Sequence, residues 1–153
     1  MKPVQVSTDV PQSREVVYDF LDVLANHELF TDHMMRNWQL DGPDRGVGGK
    51  VKLDAVMGGR TEPVEIEVIE ADPPTRNVER NVSAGGHRVG TGTYVLHELP
   101  DGGTRVNFEY AWQRAPLSER LAAPLIRRLM RSGLERSMQR LAEQLQAREL
   151  ASP

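Results

Sequence analysis

Arg80 is the residue whose chemistry is hardest to place in this sequence, because its neighbours predict that its side chain points inwards. It alternates with Val78 and Val82 in a strand pattern over residues 77–83, and residues of one parity share a face of a strand. A buried guanidinium needs an acid, backbone carbonyls, water or a polar ligand group as its partner. The alternatives are a structural ion pair, a stem that reaches the rim of the interior, or a hydrogen bond to the carbonyl or carboxylate of a ligand.

Aromatic and methionine side chains on the predicted apolar faces would form the walls of such a site. In an enzyme, Arg80 would stabilise a developing enolate, and Tyr94 or Tyr110 would act as proton donor. The residues expected to contact a ligand are Phe30, Trp38, Met57, Arg80, Tyr94, Leu96, Phe108, Tyr110, Trp112, Met130, Leu134 and Met138.

Other catalytic and cofactor chemistries find little support. No pair of the four histidines has the four-residue helical spacing of a metal site, so neither a metal nor another cofactor is expected. His27 and His33 flank Phe30 near the expected cavity mouth, which leaves a proton-shuttle role open. The glycines at 46–49 lack the residues of a phosphate loop, those at 90–92 precede a strand rather than a helix, and no serine lies in a nucleophile elbow.

Composition restricts the class of protein further. The 153 residues suit one domain over residues 1–153, without the roughly 20-residue apolar run of a transmembrane helix. The absence of cysteine excludes disulfides and thiolate sites. A net charge of −3 argues against nucleic acid as a partner. With no apolar signal-peptide core at the N-terminus, a cytoplasmic location is expected.

Hydrophobic periodicity and turn residues predict the order of the elements. A strand with alternating valines over residues 4–10 is followed by a helix after Ser13 and a second short helix over 26–30. Glycine and proline pairs then separate six short strands at hairpin intervals, which favours an antiparallel meander. These strands are predicted at 35–40, 50–57, 63–70, 77–83, 89–99 and 105–113.

The last third of the chain predicts a long amphipathic helix that lies across the sheet. A short helix is expected before Pro124, because proline cannot donate to the preceding turn, and a long helix from there to about residue 147. Gly133 and Ser137 lie near the middle of its apolar stripe, so its smallest residues are expected to face the sheet. The glycines at 90 and 92 would either let the sheet bend or leave room for a ligand. The expected fold is α+β: a curved antiparallel sheet of about seven strands that grips the long helix around a cavity.

Three segments carry a resemblance to a known family: residues 10–21 (VPQSREVVYDFL), 69–74 (IEADPP) and the hairpin 92–106 (GTYVLHELPDGGTRV). With the order of the elements, the chain resembles the START-like or SRPBCC superfamily, and within it the polyketide cyclase/dehydrase and lipid-transport group. The resemblance implies the helix-grip fold and a hydrophobic cavity that accepts lipids, polyketides, quinones or hormones. It fixes no catalytic residues.

Three functions follow as hypotheses. The first is binding of a hydrophobic, partly oxygenated small molecule, which is polyketide-, lipid- or quinone-like. The second is a polyketide aromatase/cyclase or dehydratase that uses the same cavity. The third is a protein-interaction or chaperone-cofactor module that binds through the last helix, where seven arginines stand against four acidic residues over 116–150. Those arginines would also allow weak contact with an anionic membrane or a carrier protein. The chain is expected to be a monomer or homodimer.

Overall fold

A computed structural model describes residues 1–152 of the chain. The elements are β1 (Val4–Val10), α1 (Arg14–Asp22), a 3₁₀ turn (Leu24–His27), α2 (Glu28–Thr31), β2 (Met35–Asp41), β3 (Lys50–Met57), β4 (Arg60–Asp72), β5 (Arg76–Ser83), a 3₁₀ turn (Ala84–Gly86), β6 (Arg88–Glu98), β7 (Thr104–Arg114), α3 (Leu117–Leu121) and α4 (Ala123–Ala151). None of these helices combines the length and apolar character needed to cross a membrane.

All seven strands form one antiparallel sheet in the order β1-β7-β6-β5-β4-β3-β2. From β2 to β7 each strand pairs with the next along the chain, as the hairpin signals predict. The pairing of β1 with β7, from Val4↔Tyr110 to Val10↔Thr104, joins the two ends of the chain. The predicted seven-stranded helix-grip fold is thereby confirmed.

The sequence also explains where the helices begin. The Ser13 side chain accepts a hydrogen bond from the backbone N–H of Val16 at 3.3 Å and caps α1. Pro124 lies in the first turn of α4, where its missing N–H costs nothing. The 29 residues of α4 span about 44 Å. Its buried residues are Met130, Leu134, Ser137, Met138, Leu141 and Leu145.

The apolar core has two parts. The larger cluster joins β1, β6, β7 and α1 to the inner side of α4, and includes Phe30, Leu96 and Leu141. The smaller one lies on β3 and β4 around Val51 and Ile66. Partly buried residues at the edges of both clusters line the cavity described below.

The glycines of β6 leave room for aromatic side chains of β7. A Cβ atom on Gly90 would lie 2.2 Å from the Tyr110 hydroxyl, and one on Gly92 would lie 3.0 Å from the Phe108 ring. The expected ligand space beside these glycines is thus occupied by the protein's own rings.

Gly133 and Ser137 do not face the sheet as expected. A Cβ atom on Gly133 would lie 3.2 Å from the sulfur of Met34, and the Ser137 hydroxyl lies 3.4 Å from Nε2 of His33. Both small residues therefore pack against the segment between α2 and β2 (residues 32–34). α4 has the predicted apolar stripe, but the middle of this stripe faces the segment between α2 and β2 rather than the sheet.

Removing α4 should abolish the fold. A chain that ends at Ala123 loses all six buried residues of α4, and burial of each large apolar one stabilises by about 1.5 to 3 kcal/mol. We expect no cooperative unfolding transition by circular dichroism. A control chain that ends at Ala147 keeps the stripe through Leu145 and should still unfold cooperatively, although it lacks the contact of Arg148 with Phe20. A cooperative melt of the shorter chain would contradict this account of α4.

Candidate functional site

A cavity of about 650 Å³ lies between the sheet and the first half of α4. Nine of the twelve residues predicted to contact a ligand line it: Trp38, Met57, Tyr94, Phe108, Tyr110, Trp112, Met130, Leu134 and Met138. Two others, Phe30 and Leu96, are buried in the larger core cluster. The contact of these residues with a ligand stays a prediction.

Arg80 is exposed, so the prediction that it points inwards was wrong. The inner face of β4 carries Val64, Ile66 and Val68, and their cross-strand partners on β5 are Ser83, Asn81 and Glu79. Directly opposed residues share a face of the sheet.

A β-bulge in β4 pairs Arg80 with Glu67 instead of Val68. The pairing begins with Asp72↔Arg76 and Glu70↔Val78, and without an irregularity it would continue to Val68↔Arg80. A register shift between Val68 and Glu70 instead pairs Val68 with Glu79. A slip of one residue exchanges the two faces of a strand relative to its neighbour. The polar residues of β5 therefore face inwards, and Val78 and Val82 lie on the other side.

Glu79 forms the centre of the cavity's polar end together with His27. Nδ1 of His27 lies 3.0 Å from Oε1 of Glu79, and the two side chains are 4% and 7% exposed. The other ring nitrogen, Nε2, lies 2.7 Å from the backbone carbonyl of Leu21. Since a carbonyl only accepts, Nε2 carries a proton and donates it to Leu21.

The charge on this pair follows from opposing effects. Burial would lower the pKa of His27, but the Glu79 carboxylate and the Leu21 carbonyl outweigh burial and raise the pKa above its usual value. The raised pKa favours the imidazolium form, whose charge the Glu79 carboxylate balances. The pair is neutral as a whole, which reduces the cost of its burial.

Tyr94 closes this end of the cavity. Its ring meets the His27 ring edge-on at a centroid distance of 5.6 Å and the Phe108 ring at 4.6 Å. Burial, and then the negative charge of Glu79, raise the pKa of Tyr94 well above its usual value. Burial also raises the pKa of Tyr110 to about 12. Both phenols keep their protons at neutral pH and can donate hydrogen bonds.

Arg88 lies at the other end of the cavity, beside α3, and contacts three polar residues there. Its guanidinium pairs with Glu62 on β4 and with Glu119 on α3, and it donates to the Ser83 hydroxyl at 2.8 Å. The hydrogen bond to Glu119 is the main reason why the pKa of Arg88 is raised. Arg88 therefore ties α3 to the sheet, and its charge is already matched by two carboxylates.

A second polar cluster joins the segment after α2 to α4. His33 Nε2 lies 2.9 Å from the Gly133 carbonyl, and Arg140 Nη1 lies 3.3 Å from His33 Nδ1. Arg140 also pairs with Asp32. The guanidinium can only donate, so Nδ1 accepts and the ring is neutral. Burial, and then the neighbouring arginines, lower the pKa of His33.

Several arginines of α4 have partners elsewhere in the chain. Arg127 donates to the carbonyls of Lys2 and Pro3, Arg131 donates to the carbonyl of Gln5, and Arg148 lies 5.1 Å above the Phe20 ring. These three fix α4 to α1, β1 and the residues before β1, so fewer guanidinium groups are free to contact an external partner than the sequence suggests.

The inner face of β5 was not predicted from the sequence. Glu79, Asn81 and Ser83 line the cavity, yet their polar pattern predicts a solvent face. His27 was noted only as a shuttle near the cavity mouth. No group of three or more possible metal ligands occurs within residues 1–152.

A curved antiparallel sheet around a long helix, with a cavity between them, defines a helix-grip domain. Residues 1–146 match the family described as polyketide cyclase/dehydrase and lipid transport, and the chain belongs to that family. No curated protein was found to match the chain in sequence.

Solved structures show the same fold. TTHA0849 from Thermus thermophilus is 23% identical with a TM-score of 0.78, over 95% of this chain and 98% of that one. The Zhui aromatase/cyclase from Streptomyces sp. R1128 is 12% identical with a TM-score of 0.72, over 96% and 94%. Major latex-like protein 151 from Panax ginseng is 10% identical with a TM-score of 0.68, over 94% and 96%. At these identities the likeness concerns the fold alone.

His33 should make stability depend on pH. Because its pKa is lowered by folding, its contribution is complete above the ordinary pKa of about 6.5 and is lost as the pH falls below that value. In urea unfolding at pH 7.5 and 5.5, wild type should lose more stability at pH 5.5 than His33→Gln does. His27 is present in both proteins, so its opposite contribution cancels. His97→Gln, at an exposed histidine, should behave like wild type. Equal losses in wild type and His33→Gln would refute the role of this cluster.

Proposed function

We propose that the protein binds a hydrophobic, partly oxygenated small molecule in the cavity between the sheet and α4. The observation that carries the proposal is one apolar cavity of about 650 Å³ with a buried polar pair, His27 and Glu79, at one end. Volumes of about 300 to 1,000 Å³ are typical of small-molecule sites, as are mostly apolar walls with a few placed polar groups.

The wall residues support an aromatic or polycyclic ligand. Phe108, Tyr110 and Trp112 come from one strand, and the Tyr110 and Trp112 rings lie 4.9 Å apart at 77°. Aromatic rings favour offset or edge-to-face contacts with further rings. Met57 and Met130 line the same space, and methionine adapts to irregular shapes. A polyketide-, quinone- or lipid-like molecule suits such walls, and the family's description names both polyketide and lipid chemistry.

Filling the cavity should prevent binding. Ala55 lines it on β3, so Ala55→Trp would place an indole in the free space. We expect the affinity for naphthalene, measured by fluorescence titration, to fall by more than about tenfold, which equals about 1.4 kcal/mol. Lys52→Trp, at an exposed position of the same strand, is the control and should bind like wild type. Undiminished binding to Ala55→Trp, or no binding of naphthalene to wild type, would contradict the proposal. If naphthalene binds as expected, mass spectrometry of small molecules released from the denatured protein would identify the natural ligand.

A second candidate function is the aromatase/cyclase or dehydratase reaction, which the His27–Glu79 contact favours. The Glu79 carboxylate would take a proton from the carbon beside a ketone, and the C–H electron pair would become an enolate. The enolate carbon would bond to a second carbonyl carbon of the same molecule, whose oxygen would take the Nδ1 proton of His27. Transfer of the new Glu79 proton to His27 over 3.0 Å would restore the pair. Loss of water would repeat these transfers: Glu79 would take the remaining proton from the carbon beside the ketone, its electron pair would form the C=C bond, and the hydroxyl would leave as water with the His27 proton.

In this reaction Tyr94 would donate a hydrogen bond to the enolate oxygen, because its raised pKa keeps it protonated. The enolate-stabilising role expected for Arg80 passes to Tyr94 and His27, since Arg80 is exposed. The Zhui structure, named as an aromatase/cyclase, has the same fold and makes this class the natural enzymatic alternative.

Catalysis can be tested with an aryl 1,5-diketone that closes to a cyclohexenone with loss of water, followed by absorbance. Loss of a general base costs about 10² to 10⁴ in rate, so Glu79→Gln should slow turnover at least 100-fold while it still binds the diketone. Arg80→Leu should retain the rate. If wild type does not accelerate closure above the buffer rate, or Glu79→Gln is as fast as wild type, the enzymatic candidate is wrong and binding alone stands.

A protein-interaction module remains the third candidate. The exposed Arg120, Arg128 and Arg136 on α3 and α4 would contact an acidic partner, a carrier protein or an anionic membrane. This candidate has less support, because Arg127, Arg131 and Arg148 already bind the protein itself. Whatever the function, we also propose that the protein is cytoplasmic and is a monomer or homodimer.

A further inference from the structure

Glu79 is a carboxylate with spare acceptor capacity at one end of the cavity. Its side chain is 7% exposed and lines the cavity. Oε1 is closed off from the cavity and lies against His27 Nδ1, whereas no residue from 1 to 152 donates a hydrogen bond to the other oxygen, Oε2. A buried acceptor left unpaired is destabilising, so a ligand group that donates to Oε2 would be bound favourably.

From this geometry we infer that Glu79 is a subsite for a ligand hydroxyl, and that the cavity selects phenols and alcohols over both carboxylates and ligands without a donor. The inference rests on the proposed function, because it names the polar group that the cavity's ligand must carry. It differs from the sequence-based hypothesis, in which Arg80 would attract a carbonyl or carboxylate.

The directions of the two His27 ring nitrogens explain why this end of the cavity favours hydroxyls over carboxylates. Nε2 of His27 donates to the Leu21 carbonyl at 2.7 Å, and Nδ1 faces Glu79. Both ring nitrogens are therefore directed at protein acceptors. A ligand that reaches this end of the cavity meets carboxylate oxygens, which accept and cannot donate. A hydroxyl is complementary to them, whereas a second carboxylate would be repelled.

The other charged residues around the cavity do not offer a free cation at the Glu79 end. The lining contains the acids Glu62, Glu79 and Glu119 and the arginines Arg60 and Arg88. Arg88 is engaged by Glu62 and Glu119. Arg60 is the exposed first residue of β4, eight residues or about 26 Å along the strand from Val68, the cross-strand partner of Glu79. An anionic ligand group at the Glu79 end would thus leave water without a matched partner, which is costly.

The rings around Glu79 define where the rest of the ligand lies. Tyr94 contacts both His27 and Phe108 edge-on or tilted, at centroid distances of 5.6 and 4.6 Å. A hydroxylated aromatic ring could donate to Glu79 while its faces and edges contact these side chains. Phenols on a fused-ring or aryl framework are therefore the ligand class that the subsite fits best.

Four probes of nearly equal shape test the inference: naphthalene, 2-methoxynaphthalene, 2-naphthol and 2-naphthoate. With wild type at pH 7, isothermal titration should give 2-naphthol an affinity about 10-fold or more above that of 2-methoxynaphthalene, the usual worth of a hydrogen bond to a charged group. 2-Naphthoate should bind more weakly than naphthalene. In Glu79→Leu the advantage of the hydroxyl should shrink to within about twofold, while naphthalene binds at least as well as before. Arg80→Leu, on the same strand but facing out, should keep the wild-type order.

The outcomes separate this inference from the function it rests on. If none of the four probes binds wild type, the proposed cavity function fails. If naphthalene binds but 2-naphthol gains nothing, or 2-naphthoate binds as well as 2-naphthol, the cavity function stands and the Glu79 subsite is overturned. Glu79→Gln keeps the shape and tests the charge if Glu79→Leu does not fold: it should lose most of the preference for 2-naphthol, and an unchanged preference would overturn the inference.

Discussion

The structure depends on the burial of one face of α4 against the sheet. Only part of that face is packed by core side chains, and the rest borders the cavity. Towards its C-terminus, Leu141 and Leu145 are buried in the larger core cluster. Towards its N-terminus, Ile126 and Leu129 line the cavity instead. One helix therefore supplies core contacts at one end and a roof at the other. Substitutions at Ile126 or Leu129, which lie outside that cluster, can change the cavity while the contacts that hold the domain together persist.

The His27–Glu79 pair shows how a polar group is kept inside such a cavity. His27 lies at the end of a 3₁₀ turn, and the Leu21 carbonyl orients its ring from behind. Thr31 reinforces this turn by donating to the His27 carbonyl at 2.7 Å. An apolar pair of similar volume would often be as stable or more stable. Stability alone does not explain the pair, whereas its position at the end of the cavity suits a functional role.

Much of the fold was predictable, because hairpin turns, alternation and the helical stripe are local signals. The strand predictions for β3 and β5 fall within one residue of the observed bounds, and the break before α4 lies where Pro124 places it. The site was less predictable. Alternation separates two faces of a strand but does not say which face is covered, and β5 turns its polar face inwards. The bulge opposite Glu79 changes the register without a clear sequence signal. Likewise, the rings that occupy the space beside Gly90 and Gly92 come from β7, a different strand.

The cavity walls also concentrate the protein's sulfur. Of the six methionines, all but Met1 line the cavity: Met34, Met35, Met57, Met130 and Met138. The chain has no cysteine, so these thioethers are the oxidisable sulfur atoms of the interior. Conversion of a thioether to a sulfoxide replaces a flexible apolar group with a polar, chiral one. Oxidative damage to this protein would therefore alter the chemistry of the cavity walls rather than that of the outer surface, and methionine sulfoxide reductases would restore it.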